Sequence, residues 1–234
     1  MKTGPERNDL LFLLPEQVKE RVFPLLQEIE VPPGKELDAV GQKVKFVYFP
    51  ADCIISLTYV TLDGHSSGLS IVGREGIVGT SVLLGAGSTS SQAIVQSAGV
   101  VYRLAATDLK REFQNDTNMR MLMLRYTQSL ITQIAQTAVC NRRHTIDQRL
   151  CRWLLLCLDR LPANELILTQ ELIANMLGVR REGVTEAAGR LQKLGIIRHR
   201  RGHITVVDRS RLEAQCCECY AVVKQETDRL GLAA

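Results

Sequence analysis

Hydrophobic residues recur with two different spacings in this sequence, and the change of spacing separates a strand-rich part from helical parts. Between about residues 44 and 104, short apolar runs alternate with glycine, proline and the pair Asp63-Gly64, which is typical of antiparallel strands joined by tight turns. The runs are VKFVYFP, CIISLTYV, GLSIV, QAIVQSA and VVYRLA. Several short strands at this spacing predict an antiparallel barrel or sandwich.

Helical spacing is found on both sides of these strands. In PEQVKERVFPLLQEIEV, residues 15–31, the apolar residues recur at helical intervals, and Pro24 predicts a break or kink. A short helix is predicted over residues 107–113, with Thr107 as its cap and Asp108 complementing its dipole. Another apolar helix, which contains Trp153, is predicted over residues 149–161.

The longest uninterrupted helical pattern covers residues 117 to about 141, which contain neither glycine nor proline. Two apolar stripes run along it. One has the three-and-four spacing of a coiled-coil seam and consists of Met121, Leu124, Ile131, Ala135 and Ala138, interrupted by the polar Gln128; the other consists of Met119, Met123, Tyr126, Leu130 and Ile134. If one stripe covers the strands, the seam is left for a second copy of the helix. Burial of both stripes within one monomer is the alternative.

A pair of crossed helices is predicted at residues 169–177 and 180–194, with Gly178 at the corner between them. The apolar positions Ile173, Ala174, Leu177, Val179, Val184 and Ala187 fall where the two helices would face each other. This arrangement predicts a helix-turn-helix; an ordinary helical hairpin with a solvated face is the alternative. The residues left on the outer face, where they would enter a major groove and read bases, are Arg180, Arg181, Glu182, Thr185, Glu186 and Arg190.

The segment LGIIRHRRGHITVVD, which follows, predicts a strand, a tight turn at Arg201-Gly202 and a second strand. A helix-turn-helix followed by such a hairpin is a winged helix. Phosphate contacts, which position a protein without reading sequence, are predicted for the residues near the hairpin tip: Arg198, Arg200, Arg201 and His203. Gly183 and Gly189 break the usual helical preference within the second helix, and close approach of DNA is one reason to place them there.

Charge is distributed unevenly along the chain. The formal net charge is only +4, but residues 1–139 hold 13 Lys and Arg against 14 Asp and Glu, whereas residues 140–211 hold 14 against 7. Such a local excess is expected of a domain that meets phosphates; a solvated basic surface, or a basic domain that contacts an acidic partner protein, is the alternative. No constellation of catalytic residues is recognisable, so an enzyme is not expected.

The order of strands, long helix and winged helix, together with TQELIANMLGVRREGVTEAAGRLQKLGII and HITVVD, resembles the Crp/Fnr family of bacterial transcription regulators. The resemblance implies an α+β fold in which residues 1–115 form a sensor jelly-roll of the cyclic-nucleotide-binding type, residues 116–143 a dimerisation helix, and residues 144–234 a winged helix-turn-helix. It also implies a homodimer that binds double-stranded DNA in the cytoplasm and recruits or blocks RNA polymerase. The apolar run of residues 10–14 is too short for a signal peptide or membrane span, so no membrane partner is expected.

Individual family positions transfer only in part. Arg181 and Glu182 match the Arg-Glu pair that reads bases in the family, but Glu186 stands where a second arginine usually follows, which implies a different operator. Thr169, Gln170 and Arg201 fall where family members touch phosphates.

The sensor region departs further from the family pattern. Cyclic AMP binders carry a Gly-Glu turn and then Arg-Ser-Ala; here the candidate effector positions are Gly76, Gly79, Thr80, Ser90 and Ser91, with Thr80 in place of the glutamate and Ser90 or Ser91 in place of the arginine. Without a guanidinium the phosphate contact is lost, so cyclic AMP is disfavoured. The glycines and hydroxyls of this region would then line a pocket for another ligand or merely form a loop.

Other cofactors are disfavoured as well. No cysteine precedes Cys53, which argues against an N-terminal iron–sulfur cluster, and His65 is the only histidine in the first 140 residues, which argues against haem. Cys216, Cys217 and Cys219 lie close together, with Cys216 and Cys219 predicted on one face of a helix after the wing. Because zinc needs a fourth ligand, packing is preferred over a metal or redox site, and Cys140, Cys151 and Cys157 are predicted to be core residues. No metal is expected.

Overall fold

The structure, a computed structural model, describes residues 2–64, 66–161, 164–200 and 202–232. Its N-terminal half begins with two short helices, α1 (Asp9–Phe12) and α2 (Glu16–Val22). Among the residues described, no helix combines the length and the apolar character needed to cross a membrane.

Seven strands follow and form two antiparallel sheets. They are β1 (Gln27–Val31), β2 (Glu36–Asp38), β3 (Phe46–Pro50), β4 (Ile55–Val60), β5 (Ser66–Val72), β6 (Gln92–Val95) and β7 (Gly99–Ala105). One sheet has the order β1-β7-β3 and the other the order β2-β6-β4-β5. The five predicted runs correspond to β3 to β7, so the prediction of an antiparallel strand domain is confirmed.

The helical prediction for residues 15–31 is wrong in its second half. The helix ends at Val22, a 3₁₀ turn covers Phe23–Leu25, and β1 begins at Gln27. Pro24 lies inside that turn, where its missing N–H and fixed φ end the α-helix. Strand β1 then pairs with β7 from Gln27 opposite Arg103 to Val31 opposite Gly99. In QEIEV itself, Ile29 and Val31 alternate with polar residues as in a strand, so the helical interpretation should have ended before Gln27.

The two sheets share a core because side chains alternate across β3. Tyr48 packs with Ile55, Val72 and Val101 between the sheets. Its neighbours Val47 and Phe49 point to the opposite face of the β1-β7-β3 sheet. There they pack against side chains of α1, α2 and the long helix, namely Leu10, Leu11, Val18, Val22, Met119 and Met123.

Two helices connect the strands to the C-terminal half: α3 (Ala106–Asn115) and α4 (Thr117–Arg143). Thr107 does not cap α3, contrary to the prediction, because β7 runs directly into the helix and Ala105 occupies the N-cap without a side-chain hydrogen bond. Asp116 caps α4 instead, and its Oδ1 accepts from the Met119 N–H at 3.0 Å. The 27 residues of α4 make a rod of about 40 Å.

The two stripes of α4 meet different surroundings. Met119, Met123, Tyr126 and Leu130 are buried against the strand domain, and the Tyr126 hydroxyl donates to the Ile77 carbonyl at 3.1 Å. The seam stripe is open: Met121 is 46%, Leu124 40% and Ile131 53% exposed. Gln128, Ala135 and Ala138 are exposed too. Within the chain, one apolar stripe of α4 is therefore buried against the strand domain, whereas the seam stripe remains exposed.

The C-terminal half contains a small antiparallel sheet among helices. The helices are α5 (Ile146–Leu158), α6 (Gln170–Leu177), α7 (Arg181–Lys193), α8 (Arg209–Ala214) and α9 (Cys219–Thr227); the strands are β8 (Glu165–Ile167), β9 (Ile197–Arg200) and β10 (His203–Val206), in the order β8-β10-β9. Strand β8 was not predicted from the sequence. Helix α5 begins earlier than expected because Thr145 and Gln148 form a capping box.

The cores of the two halves interlock. Ile54 and Ile71 of the strand domain pack with the C-terminal helices, and Leu230 packs with the N-terminal core. Gly68 on β5 lies so close to α6 that a Cβ there would be 2.6 Å from the Met176 carbonyl oxygen. The predicted α+β architecture of sheets, long helix and helix-turn-helix is confirmed.

Candidate nucleic-acid interface

The turn between α6 and α7 is built around Gly178. Its backbone is left-handed, with φ +60° and ψ +44°, a conformation that glycine adopts without steric cost. The Gly178 and Val179 N–H groups donate to Asn175 and Ala174 carbonyls at 3.2 and 3.0 Å. At the other end of α6, Thr169 Oγ1 accepts from the Leu172 N–H at 3.2 Å. The backbone groups at both ends of α6 are thus capped by local hydrogen bonds.

Apolar side chains hold the two helices together as predicted. Ile173, Leu177, Val184 and Ala187 are buried in one core, with Val179 packed partly against it. Because four of these side chains are at most 2% exposed, each contributes about 1.5–3 kcal/mol of apolar burial, or less for the smaller alanine. Their packing leaves the opposite face of α7 to solvent.

That outer face carries the predicted base-reading residues. Arg180, Arg181, Glu182, Thr185 and Glu186 are all exposed. Gln170, at the start of α6, joins two of them: its Oε1 accepts from Arg181 Nε at 3.4 Å and from Thr185 Oγ1 at 3.1 Å. The first turn of α7 and the start of α6 therefore form one polar surface.

Arg190 differs from the other predicted readers because it is already paired within the chain. Its Nε and Nη2 donate to both oxygens of Asp147 at 2.8 and 2.7 Å, and its Nη1 lies 3.8 Å from Glu186. This fork ties α7 to the first turn of α5. Arg190 is therefore placed to orient α7, whereas Arg181 lies at the exposed first turn.

The wing is formed by β9 and β10, which pair from Ile197 opposite Val206 to Arg200 opposite His203. Arg198 and Arg200 are exposed on β9, and His203 Nδ1 lies 3.1 Å from Glu165 Oε1 on β8. Gly202 has φ +77°, as the predicted tight turn requires. The predicted phosphate contact Arg201 lies outside the described residues, as does His65.

Two polar residues that the sequence did not single out connect the wing to the helices. His199 Nε2 lies 3.3 Å from Gln170 Nε2, and the amide group donates to it when the imidazole carries its proton on Nδ1. Gln192 Oε1 accepts from the His199 backbone N–H at 2.7 Å. Neither residue carried a sequence signal, because each contact joins side chains or backbone groups of two different elements.

The two glycines inside α7 have different surroundings. A Cβ at Gly183 would lie 3.0 Å from Ile146 Cδ1, so close packing of α5 on α7 accounts for this glycine. At Gly189 no atom lies within 4 Å of such a Cβ. Arg180 occupies the N-cap of α7 and makes no side-chain capping hydrogen bond, as the sequence indicated.

A cavity of about 650 Å³ opens in the strand domain beside α4. Four of the five predicted effector positions, Gly79, Thr80, Ser90 and Ser91, line it. Gly76, the fifth predicted position, does not line it. A Cβ on Gly76 would lie 2.4 Å from the Tyr126 hydroxyl, so the position is filled by close packing of α4.

The cavity also contains a carboxyl group that was not predicted. Asp38 lines it, and burial raises the pKa of this carboxyl to about 6. Apolar walls come from Leu57, Leu130 and Ile134. The described lining contains no lysine or arginine. It therefore offers hydroxyls, one titratable carboxyl and apolar surface to a ligand.

Comparison with known proteins agrees with this arrangement. Residues 148–215 match the Crp-like helix-turn-helix domain. FixK2 from Bradyrhizobium japonicum has a similar structure, with a TM-score of 0.72 and 18% identity over 82% of this chain and 98% of that chain. A transcriptional regulator of the Crp/Fnr family from Eubacterium rectale gives 0.69 and 18%, over 90% and 98%. The c-di-GMP-responsive global regulator CLP from Xanthomonas campestris gives 0.65 and 15%, over 82% and 99%. No curated protein sequence matches the chain.

The fold and the match at residues 148–215 define a Crp-like helix-turn-helix domain, which a long helix connects to a strand-rich N-terminal domain. FixK2 and the Crp/Fnr-family regulator from Eubacterium rectale share this overall fold with the chain. The resemblance seen in the sequence is thereby confirmed.

Proposed function

We propose that the protein is a homodimeric, sequence-specific regulator in which residues 1–115 sense an effector, residues 116–143 dimerise and residues 144–234 bind DNA. The observation that carries the proposal is the exposed polar face of α7, held over Gln170 in a Crp-like helix-turn-helix. Such a regulator acts in the cytoplasm, where the bacterial chromosome lies, and its further partner is RNA polymerase.

Base reading falls to the first two turns of α7. Arg181 is exposed there and suits a bidentate contact with guanine O6 and N7, while the carboxylate of Glu182 accepts from cytosine N4. Arg180, Thr185 and Glu186 extend the same face. Arg190 contributes through the position of α7, because Asp147 already occupies its guanidinium.

Phosphate binding falls to residues around this face. Thr169 and Gln170 lie at the N-terminus of α6, where the helix dipole favours an anion. Arg198 and Arg200 are exposed on the wing, and His203 is the first residue of β10. Arg201 is proposed as a further contact. A phosphate at His203 would compete with the contact between His203 and Glu165.

Dimerisation is assigned to the seam stripe of α4. Apolar side chains at Met121, Leu124 and Ile131 are 40–53% exposed on a helix whose opposite face is buried. Their spacing is that of a coiled-coil a/d seam, and the partner that matches such a seam in register is a second copy of the same helix. Ala135 and Ala138 allow the two helices to approach closely.

The cavity beside α4 is proposed as the effector site, lined by Gly79, Thr80, Ser90 and Ser91. A cyclic nucleotide is disfavoured because its phosphate needs a cationic partner and the described lining offers the Asp38 carboxyl instead. An uncharged or cationic ligand fits this chemistry better. Leu130 and Ile134 of α4 form part of the lining, so a bound ligand would touch the dimerisation helix directly.

The test is selection of bound duplexes from a palindromic library, followed by mobility shifts on the selected and a scrambled duplex. The three wing arginines of each chain, six in a dimer, predict a loss of affinity on the order of 10³-fold between 50 and 200 mM salt. The selected sequence should be an inverted repeat. Recovery of no preferred sequence, or equal affinity for the scrambled duplex at every salt concentration, would contradict the proposal.

A further inference from the structure

Four potential metal ligands from two distant segments meet beside the end of α4. Cys140 lies on the last turn of α4 and His144 at its C-cap, whereas Cys217 lies in the turn that joins α8 to α9 and Cys219 is the first residue of α9. The three Sγ atoms and the histidine ring nitrogen all lie within 4.8 Å of one another. All three cysteines are buried, and the His144 side chain is only 13% exposed.

The spacing of these atoms matches a mononuclear tetrahedral centre. Cys140 Sγ lies 3.6 Å from Cys217 Sγ, and Cys219 Sγ lies 3.6 Å from His144 Nδ1. With Zn–S bonds of about 2.3 Å and Zn–N bonds of about 2.1 Å, tetrahedral geometry places two sulfurs about 3.8 Å apart and a sulfur and a nitrogen about 3.6 Å apart. An iron–sulfur cluster places several atoms between its ligands and needs wider spacing.

The second ring nitrogen of His144 has the partner that a metal-binding histidine requires. Its Nε2 lies 3.3 Å from Glu218 Oε1. A carboxylate in this position accepts the Nε2 proton, fixes the tautomer and leaves the Nδ1 lone pair for a metal ion. The Glu218 carboxylate is mostly exposed, so the site reaches solvent along the histidine edge.

A buried positive charge beside the cluster points to the same chemistry. Arg152 is only 5% exposed, and its Nε and Nη1 have no hydrogen-bond partner among the described residues. Its Nη2 donates to Thr137 Oγ1 at 3.1 Å, and its charge acts on Cys140 and Cys219. A buried guanidinium without a counter-charge is costly. Three thiolates, one neutral imidazole and one Zn²⁺ carry a net charge of −1, which would balance it.

We propose that Cys140, His144, Cys217 and Cys219 bind one Zn²⁺ ion as a structural Cys₃His site. The sulfur-rich set and the tetrahedral spacing favour zinc over harder divalent ions. Binding displaces the thiol protons to solvent. The ion ties the end of α4 to α9 and thereby fixes the DNA-binding half relative to the long helix. This replaces the sequence-based expectation that Cys140 and the later cysteines serve only packing.

Two features kept this site out of the sequence-based prediction. Cys140 and Cys217 are separated by 77 positions, so their proximity depends on the tertiary fold. The sequence prediction also placed Cys216 and Cys219 on one helical face, whereas α8 ends at Ala214 and α9 begins at Cys219. Cys216 therefore lies outside both helices, and Cys217 and Cys219 lie beside Cys140 of α4. The Cys140–His144 spacing of one helical turn was the available signal.

The first measurement is metal content of the full-length protein purified in reductant without chelator. About one zinc per chain is expected. After removal by chelation under anaerobic conditions, added Co²⁺ should produce the visible bands of a tetrahedral ion and a thiolate charge-transfer band, and Zn²⁺ should displace them. A Co²⁺ spectrum without thiolate bands, or one typical of octahedral coordination, would overturn the proposal.

Variants separate ligands from neighbours. Cys219→Ser and His144→Ala should each weaken Zn²⁺ binding more than 100-fold in competition with a chromophoric chelator, whereas Cys216→Ser, the matched control, should bind like wild type. Glu218→Gln should keep the Co²⁺ spectrum but weaken Zn²⁺ binding roughly 10- to 100-fold. Circular dichroism of both ligand variants verifies that the loss of metal binding is not due to misfolding.

Two further results decide against the site. Mass spectrometry of the protein trapped with iodoacetamide would exclude zinc if it showed a Cys140–Cys217 disulfide in place of four-coordinate metal. Wild-type binding by both Cys219→Ser and His144→Ala would do the same. Because none of these measurements includes DNA, they succeed or fail independently of the proposed regulator function.

Discussion

Arg160 and Glu75 form a buried ion pair between the DNA-binding half and the strand domain. Arg160 Nε lies 2.7 Å from Glu75 Oε1, and the two side chains are 6% and 11% exposed. Arg160 Nη1 also donates to the Leu156 carbonyl at 2.7 Å, and the Gly73 N–H donates to Glu75 Oε1 at 3.2 Å. A shift in the position of the turn after β5 would therefore move the end of α5 through this ion pair.

Removing one partner of this pair should be strongly destabilising. We expect Glu75→Ala to lower the free energy of unfolding by about 3–5 kcal/mol, because Arg160 remains buried without a counter-charge. The double variant Glu75→Leu with Arg160→Met should recover much of the loss. Urea unfolding measures both. Asp228→Ala, which breaks the exposed pair with Lys224, is the control and should have little effect; an equal effect of the two single variants would contradict the role of burial.

Arginines on α7 and on the wing should differ in their effect on DNA binding. Arg181→Ala should relax base preference at one operator position, with a loss of about 1–3 kcal/mol on the preferred duplex. Arg200→Ala should weaken preferred and scrambled duplexes equally and reduce the salt slope. Arg111→Ala removes the same charge at an exposed position of α3. It should change neither the base preference nor the salt slope. Identical behaviour of Arg181→Ala and Arg200→Ala would refute the proposal that Arg181 reads bases whereas Arg200 contacts phosphates.

The seam stripe makes a prediction about subunit number. Ile131→Glu would place two like charges against each other across a symmetric parallel seam, so the variant should dissociate into monomers. Sedimentation equilibrium at several concentrations measures this. Arg125→Glu changes an exposed α4 position outside the seam and should remain dimeric. A wild-type protein that sediments as a monomer at all concentrations would refute the proposed interface.

Asp38 should make stability depend on pH. Burial raises its pKa to about 6, so the folded state holds the proton more tightly than the unfolded chain, where the pKa is about 3.9. The stabilisation due to the neutral form is complete below the unfolded value and is lost as pH rises through about 6. The melting temperature of Asp38→Asn should therefore be higher than that of the wild type at pH 7.5 and equal to it near pH 4. A wild-type advantage at pH 7.5 would be inconsistent with this cause.

Two alanine substitutions should have opposite signs. Gly178→Ala meets no close atom, since Ser67 Oγ would lie 3.6 Å away, but φ +60° strains an L-residue; a loss of roughly 1–2 kcal/mol is expected. Gly189→Ala lies within α7 with nothing nearby and should gain about 1 kcal/mol. Thermal unfolding of both variants tests the assignment. Destabilisation by Gly189→Ala would mean that its surroundings differ from those described.

The sequence was most informative where one element determines its own shape. The helix-turn-helix followed from Gly178 and from apolar residues within twenty positions, and α4 followed from an unbroken run. Strand β1 was missed because it is only five residues long and its partner β7 lies 68 to 76 positions later, so the helical interpretation of the preceding residues was extended over it. The same limit applies to the sites. Asp38 enters the cavity, and Gln170 reaches His199, through contacts between elements that periodicity does not encode.

The unbroken length of α4 has a consequence for operators. If two copies pair along this rod, the separation of their α7 helices is fixed by protein geometry and not by DNA. An operator with about five base pairs inserted between its half-sites would turn one half to the far side of the duplex. Only one α7 would then reach its bases. The length of α4, a helix that touches no nucleotide, would thus determine which half-site spacing of an operator is bound.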